Sequence, residues 1–443
     1  MKPALRFEHI LGPGGLERHR EVVFGDDGVI TAVSPCAPGG PFDGWLALPG
    51  MPNGHSHAFQ RALAGRGERA AGGDSFWSWR EAMYGLAAGA TAEDLRVIAL
   101  RAYSEMLAAG FTCVAEFHYL HHGVDGSRGV ECAAAVIEAA GQAGIRLALY
   151  PVFYARGGFG RGAEPRQARF LHRTVDEFAG YLGKLPEPPA GLAAHSLRAV
   201  PPECLGDLVA LADDVAGQGS PLHIHIAEQP AEVEECLAAT GRRPVECLAD
   251  AVDLDRRWVL VHATHADAGE RRLAAGAGAC VVVCPLTEAY LGDGLFPAAG
   301  FAAAGGRLAV GSDSNVRIDA VAELRWLEYG QRLLTGRRAC LADGEGLGGA
   351  RWRRLADGGG AAFGAPVGRL EPGAFADIVA VDPGAAALEG VEGPAEALDA
   401  MITGGDARCL AGAWVGGRPV VPGRVPGYGA VARRLGGHGS GRP

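Results

Sequence analysis

Apolar and polar positions alternate in two different styles along this chain. Residues 4–48 carry short alternating segments broken by Gly and Pro, among them Leu5–Ile10, Glu21–Phe24 and Val29–Val33. That is the pattern of a small antiparallel sheet. From Leu46 onward, apolar runs that read as buried strands recur near 46–52, 111–117, 146–154, 191–197, 221–228, 257–263, 279–285 and 307–313, with helical periodicity between them. Residues 92–109 illustrate the helices: Thr91 is placed as N-cap, Glu93 and Asp94 fall in the first turn, and Gly110 stops the run. Eight strand–helix units predict a TIM-like (β/α)8 barrel, an α/β fold whose chemistry sits at the C-terminal ends of the strands. After residue 366 the alternation returns in Asp377–Val381 and Trp414–Val421. Residues 1–48 and 366–443 are therefore expected to join into one small β-sandwich domain beside a barrel spanning 49–365. The Gly-rich end, Arg433–Pro443, is expected to be loose.

Composition narrows the function classes. A chain of 443 residues with 48% apolar and 7% aromatic content suits a soluble barrel with a small companion. No window reaches the length of a membrane span, and no N-terminal run resembles a signal peptide. A net charge of −10 leaves no footprint for nucleic acid or an anionic membrane, so an anionic substrate needs locally placed arginines. Ten cysteines without a Cys-x-x-Cys pair read as small hydrophobes, Cys280 and Cys284 included, which points to a reducing, cytoplasmic setting.

Candidate chemistry begins in Leu48–Gln60, where His55 and His57 stand one residue apart at the end of an apolar run. In extended backbone both imidazoles face one side and can grip one metal ion. Later strand ends supply more donors. The fifth run gives His223, His225 and Glu228, the sixth His262 and His265, and the eighth Asp313. A lone histidine at a strand end is ordinarily a hydrogen-bonded structural residue, but four strands ending this way are a pattern. Three imidazoles and one carboxylate with an open position for water suit a catalytic Zn²⁺ or Fe²⁺.

These residues resemble the amidohydrolase superfamily in its mononuclear deaminase branch. The resemblance implies His55, His57, His225 and Asp313 as ligands of one divalent ion, Zn²⁺ ahead of Fe²⁺. It implies Glu228 as proton shuttle and His262 as the histidine that orients the attacking hydroxide, with Asp313 also taking a proton. His223 reads as a supporting residue, and His265 receives no role. Binuclear relatives bridge two metals with a lysine from the fourth strand; here the only lysines are Lys2 and Lys184, neither on that strand.

Four segments sharpen the resemblance: Met51–Gly65, Phe76–Arg80, Glu116–His122 and Cys284–Phe296, with Gly368–Gly373 and Ala376-Asp377 near the end. They are similar to the formimidoylglutamate deiminases of histidine degradation. That implies hydrolytic deimination of N-formimidoyl-L-glutamate to N-formyl-L-glutamate and ammonia, and a homodimer. It implies substrate contacts at Gln60, Arg80, Tyr119, His195 and Arg198, the arginines matching the two carboxylates. The aromatic-rich segment 60–90 is expected to cover the site. Gly54 and Asn315 depart from the resemblance and are expected to touch no ligand.

The nearest rival is another mononuclear-metal deaminase acting on a purine, nucleoside or other heterocycle, which calls for stacking and amide hydrogen bonds rather than paired arginines. A triazine hydrolase shares the ligand set alone. A catalytically silent barrel is opposed by the survival of all ligands with Glu228 and His262. The cytidine-deaminase type needs His-x-Glu with Pro-Cys-x-x-Cys, absent here.

Overall fold

The computed structural model describes residues 3–66, 76–342 and 346–436, and in the helix Phe76–Gly89 the side chains from Trp79 onward. Four strands come first: β1 (Ala4–Gly12), β2 (Gly15–Phe24), β3 (Ile30–Pro35) and β4 (Gly44–Pro49). The barrel strands are next, as β5 (Met51–Ser56), β6 (Phe111–His118), β7 (Arg146–Phe153), β8 (Leu192–Ser196), β9 (Leu222–Ile226), β10 (Trp258–His262), β11 (Cys280–Val283) and β12 (Arg307–Val310). They pair in parallel and in sequence order, as eight strand–helix units require. Helices wrap the outside. The helix Ala92–Ala108 starts with Thr91 as N-cap, its hydroxyl accepting from Asp94 N–H while Asp94 reaches back to Thr91 N–H. Such a cap contributes about 1 kcal/mol.

The ring closes between β12 and β5 through a short backbone bridge. Asp313 N–H donates to His55 O at 3.0 Å, and His57 N–H donates to Asp313 O at 2.9 Å. Gly311 makes this approach possible, because a Cβ there would lie 2.7 Å from His55 O.

The termini form a second sheet with β13 (Ile378–Val381), β14 (Leu410–Val415) and β15 (Arg418–Val420), in the order β15-β14-β13-β4-β1-β2-β3. It curls back on itself: Ile30 N–H donates to Ala374 O at 2.8 Å and Ala376 N–H to Gly28 O at 2.8 Å. Leu5, Phe7, Ile10, Val22, Phe24, Ala376 and Ile378 fill the space enclosed. The expected first barrel strand, 46–52, is in fact divided. Leu46–Pro49 pairs with β1 and β13 in the terminal sheet, and the barrel begins at Met51. Gly50 is the joint, packed so closely that a Cβ would lie 2.1 Å from Thr112 Oγ1. An unbroken apolar run conceals this change of partner, since both sheets ask for the same residues.

The C-terminal portion also differs from expectation. The helix Pro394–Gly404 packs against the barrel helices Ala320–Thr335 and Gly348–Phe363 rather than joining the sheet. Arg433–Gly436 is helical, not loose, within the helix Tyr428–Gly436 that docks on Ala92–Ala108. Leu435 is buried and Arg434 pairs with Asp94, contacts between segments far apart in sequence. Residues 437–443 lie outside the described residues. Among the described residues, no helix is long and apolar enough to cross a membrane. The ten cysteines are free thiols.

A half-buried ion pair fastens the two bodies. Asp377, just before β13, takes Arg146 Nε at 2.9 Å and Nη2 at 3.0 Å on its two oxygens, and Gly416 N–H at 2.7 Å. The guanidinium carbon also lies 3.6 Å from the centre of the Phe375 ring. Removing the buried carboxylate takes the acceptor from Arg146 and from Gly416 N–H, so Asp377→Ala should lower stability by about 2 kcal/mol in urea or thermal unfolding. A loss within about 0.5 kcal/mol, the range of an ordinary surface change, would show that the joint is dispensable.

Candidate metal centre and active site

Each strand end contributes what its position allows. At the end of β5, His55 and His57 flank Ser56 and turn their Nε2 atoms towards each other at 3.2 Å. His225 on β9 brings its Nε2 to 3.1 Å from that of His55 and 3.3 Å from that of His57. Asp313, beyond β12, adds Oδ1 at 3.5 and 3.4 Å from the same two nitrogens. All four residues are at most 5% exposed.

The spacing fits a metal ion. Bonds of about 2.05 Å to a tetrahedral centre separate ligand atoms by about 3.3 Å. The tautomers agree: His57 Nδ1 lies 3.0 Å from Phe117 O and His225 Nδ1 2.9 Å from His195 O. A carbonyl only accepts, so each Nδ1 carries the proton and each Nε2 presents a lone pair. Facing lone pairs at this distance repel unless a cation lies between them. Burial also depresses the histidine pKa values, to about 3 for His55, which keeps them unprotonated. For Asp313 burial opposes charge, but the ring of histidines around it, with His262 in its charged form, outweighs it and holds the carboxyl well below the usual range. His262, Cys284 and Asp313 form a second group of converging donors, but burial pushes the Cys284 thiol up, and thiols bind metal as thiolates. Lys184 is exposed on the surface.

His262 is tuned in the opposite sense. Burial opposes its charge, yet Glu228, Glu288 and Asp313 surround it and raise its pKa to about 10. Its Nδ1 lies 3.2 Å from Glu288 Oε1, leaving Nε2 3.8 Å from Glu228 Oε1 and 3.9 Å from Asp313 Oδ2. A cation on the four ligands would lower that value. Glu232 holds the turn carrying Glu228 by accepting the N–H groups of Ala227 at 3.3 Å and Glu228 at 3.1 Å. Ala227 (φ 51°), His262 (φ 68°) and Asp313 (φ 45°) all adopt left-handed backbone, and such strain concentrates where side chains must be aimed.

Gln60, Arg80, Tyr119, His195 and Arg198 line one cavity with His57, His225, Glu228, His262 and Asp313. His55 lies beneath, fully buried. Gln60 Nε2 donates to Tyr119 Oη at 2.8 Å. Arg198 faces the charges of Glu232 and Glu228, and its buried Nε has no partner. The cavity is narrow, with room of about 60 Å³ between its lining side chains. A wider cleft of about 410 Å³ beside the terminal sheet is lined by Leu11, Arg353 and Arg369, but Arg369 is already paired with Asp357 and Glu371.

His223 supports the barrel, its Nε2 lying 2.9 Å from Ala362 O, and His265 Nε2 lies 2.8 Å from Asp293 O. Asn315 corrects an expectation, since it does touch ligand residues. Its Nδ2 donates to His57 O at 3.1 Å, Asp313 O at 2.9 Å and Ser56 Oγ at 3.1 Å. The contacts to the two ligand residues are to backbone carbonyls, which side-chain chemistry does not reveal. Gly54 packs against Val282 and Val310 across the barrel. Sequence reasoning passed over Glu288, although a carboxylate in the first turn after Cys284-Pro285 was a visible signal, and over Trp79, Tyr84, Tyr154 and Phe170 in the cavity wall. Of the expected cover, residues 67–75 lie outside the described residues, while the helix Phe76–Gly89 brings Trp79, Arg80, Met83 and Tyr84 to the cavity.

Residues 46–420 match the model of the amidohydrolase family. This chain belongs to the amidohydrolase family. Among its members, the formimidoylglutamate deiminase of Pseudomonas aeruginosa is 43% identical over 431 residues, covering 93% of this chain and 94% of that protein. A 5-methylthioadenosine/S-adenosylhomocysteine deaminase of Halobacterium salinarum is 30% identical, over 82% of this chain and 79% of its own. The crystal structure of an amidohydrolase from Brucella melitensis superposes with a TM-score of 0.89 at 40% identity, covering 98% of this chain and 99% of the other.

For this amidohydrolase the donor set predicts about one divalent ion per chain by elemental analysis. Gly311→Ala, which removes no ligand, should lower that content at least about fivefold by forcing β12 from β5. Full metal content in that variant would mean that the closure does not hold the ligands together.

Proposed function

We infer that this amidohydrolase catalyses the hydrolytic deimination of N-formimidoyl-L-glutamate to N-formyl-L-glutamate and ammonia, a step of histidine degradation. The observation that carries this reading is the meeting of two arginines and a hydrolytic metal-ligand set in one cavity, Arg80 and Arg198 with His57, His225 and Asp313. The extended identity to a formimidoylglutamate deiminase supports it.

A divalent ion held by His55, His57, His225 and Asp313 would supply Lewis acidity and bring the pKa of a water to about 7. We assign Zn²⁺ on the imidazole-rich donor set, with Fe²⁺ the alternative. Arg80 and Arg198 bind the substrate carboxylates, and Gln60, Tyr119 and His195 complete the contacts. Asp313 accepts a proton from the attacking water as its oxygen bonds to the formimidoyl carbon. Glu228 protonates the imine nitrogen as the C=N π pair moves onto it. His262, turned by Glu288, donates a hydrogen bond to the new oxygen where charge develops. The proton held by Asp313 passes to the former imine nitrogen, the C–N pair leaves with ammonia, and the hydroxyl proton returns to Glu228 as the carbonyl of the formyl product forms.

We place the reaction in the cytoplasm, where ten free thiols remain reduced. We also propose a homodimer. Trp326, Tyr329 and Leu333 lie exposed along the helix Ala320–Thr335, a strip suited to a second copy. Light scattering should return twice the chain mass of 45.7 kDa, and a monomer would exclude this assembly.

Metal-replete protein incubated with N-formimidoyl-L-glutamate should release ammonia with N-formyl-L-glutamate as co-product, and none from guanine, cytosine or S-adenosylhomocysteine. Glu228→Gln should retain its metal and lose on the order of 10²–10⁴-fold in kcat. Ammonia from a heterocycle alone would overturn the substrate, and near-normal turnover by the variant would overturn the shuttle.

A further inference from the structure

Two phenols in the cavity wall, Tyr84 and Tyr154, are governed by one amide that does not itself line the cavity. Gln167 is buried in the short turn Pro165–Gln167, where its Oε1 accepts Glu164 N–H at 2.7 Å. A backbone N–H only donates, so the amide oxygen must face it and the NH₂ must face the tyrosines. Nε2 lies 2.7 Å from Tyr154 Oη and 3.3 Å from Tyr84 Oη. Tyr84 Oη also accepts from Arg80 Nη2 at 2.8 Å.

The lone pairs on the two phenols fix where their protons point. Arg80 Nη2 and Gln167 Nε2 already occupy Tyr84 Oη, so it has no lone pair left for the proton of Tyr154. Tyr84 can pass its own proton to Tyr154 Oη, which holds one donor. No other acceptor among the described residues takes the Tyr154 proton. Its O–H therefore remains to point into the cavity, beside the guanidinium groups of Arg80 and Arg198.

We propose that Gln167 sets Tyr154 as a hydroxyl donor to one substrate carboxylate, making that end of the cavity a donor-only wall that selects carboxylate over carboxamide. This rests on the dicarboxylate reading of the substrate. Gln167 is a positioning residue, and Tyr154 is the group that makes the contact. A carboxylate accepts from every group on such a wall. A carboxamide sets its own NH₂ against them and leaves a buried donor unpaired, which is how binding sites reject near-isosteres.

The test reads binding of unreactive ligands and so does not depend on turnover. Calorimetry on metal-replete protein would compare N-acetyl-L-glutamate with N-acetyl-L-glutamine and N-acetyl-L-isoglutamine, in the wild type, Tyr154→Phe and Gln167→Glu. The glutamate variant keeps the acceptor for Glu164 N–H but turns the other end into an acceptor that draws the Tyr154 proton away from the cavity. The wild type should bind the diacid at least about tenfold more tightly than one of the amides, and both variants should reduce that ratio below about threefold. For N-formimidoyl-L-glutamate, KM should rise at least about tenfold in both variants while kcat changes less than about threefold, the split expected for a binding contact. An unchanged ratio in the variants, or a wild type indifferent to amidation, overturns the proposal. A collapse of the ratio in protein that never deiminates N-formimidoyl-L-glutamate upholds the donor wall and removes the assigned reaction. Gln167→Met, which has no hydrogen-bonding amide, repeats the test if the charged variant does not fold.

Discussion

The closure of the barrel between β5 and β12 is the constraint on which the site depends. In the other parallel pairs of this ring two to six residue pairs share a ladder, whereas here the seam is a single bridge at Ser56 and Asp313. The two backbone bonds that make it run through His55, His57 and Asp313, three of the four ligand residues. A seam that opened would separate the ligands, and an aligned seam brings them together without any further device. Gly311 permits the approach, and Asn315 stitches its outer edge to the carbonyls of His57 and Asp313.

The electrostatics derive from that geometry and from burial. Imidazoles placed where their nitrogens face each other can bind a cation only if unprotonated, and desolvation keeps them so. One ring escapes this rule. His262 stands among three carboxylates and favours its charged form, so the protein places a hydrogen-bond donor beside a cluster of acceptors. The same fully buried environment therefore yields two kinds of histidine, separated by their neighbours alone. Glu232 acts more quietly, fixing the Glu228 turn through backbone while facing the charge of Arg198.

The terminal sheet serves the site from a distance. It anchors the chain on either side of the barrel through the Arg146–Asp377 pair and through Trp352, whose Nε1 donates to Pro49 O at 2.8 Å. Both contacts lie away from the strand ends that carry the chemistry. Stability and reactivity are thus borne by opposite ends of the same strands, as is general for this barrel architecture. The cavity end can hold strained backbone because the other end is securely packed.

The sequence by itself determined the strands, their parallel order, and the metal-binding and shuttle candidates. Strand patterning is local, and a polar residue closing an apolar run is visible wherever it occurs. His55, His57, His225, Glu228, His262 and Asp313 are all of that kind. The family resemblance extended this to Arg80 and Arg198, which no spacing rule would have brought to one cavity. Only the tertiary structure decided that Leu46–Pro49 leaves the barrel for the terminal sheet, that Arg433–Gly436 docks as helix, and that Glu288 turns His262. Only it showed Asn315 and Gln167 acting through hydrogen bonds whose direction is fixed by what surrounds them. These features share one physical cause. Each depends on a backbone group or a partner far along the chain, and a hydrogen bond to a carbonyl or N–H leaves no mark on the identity of the residue that supplies it.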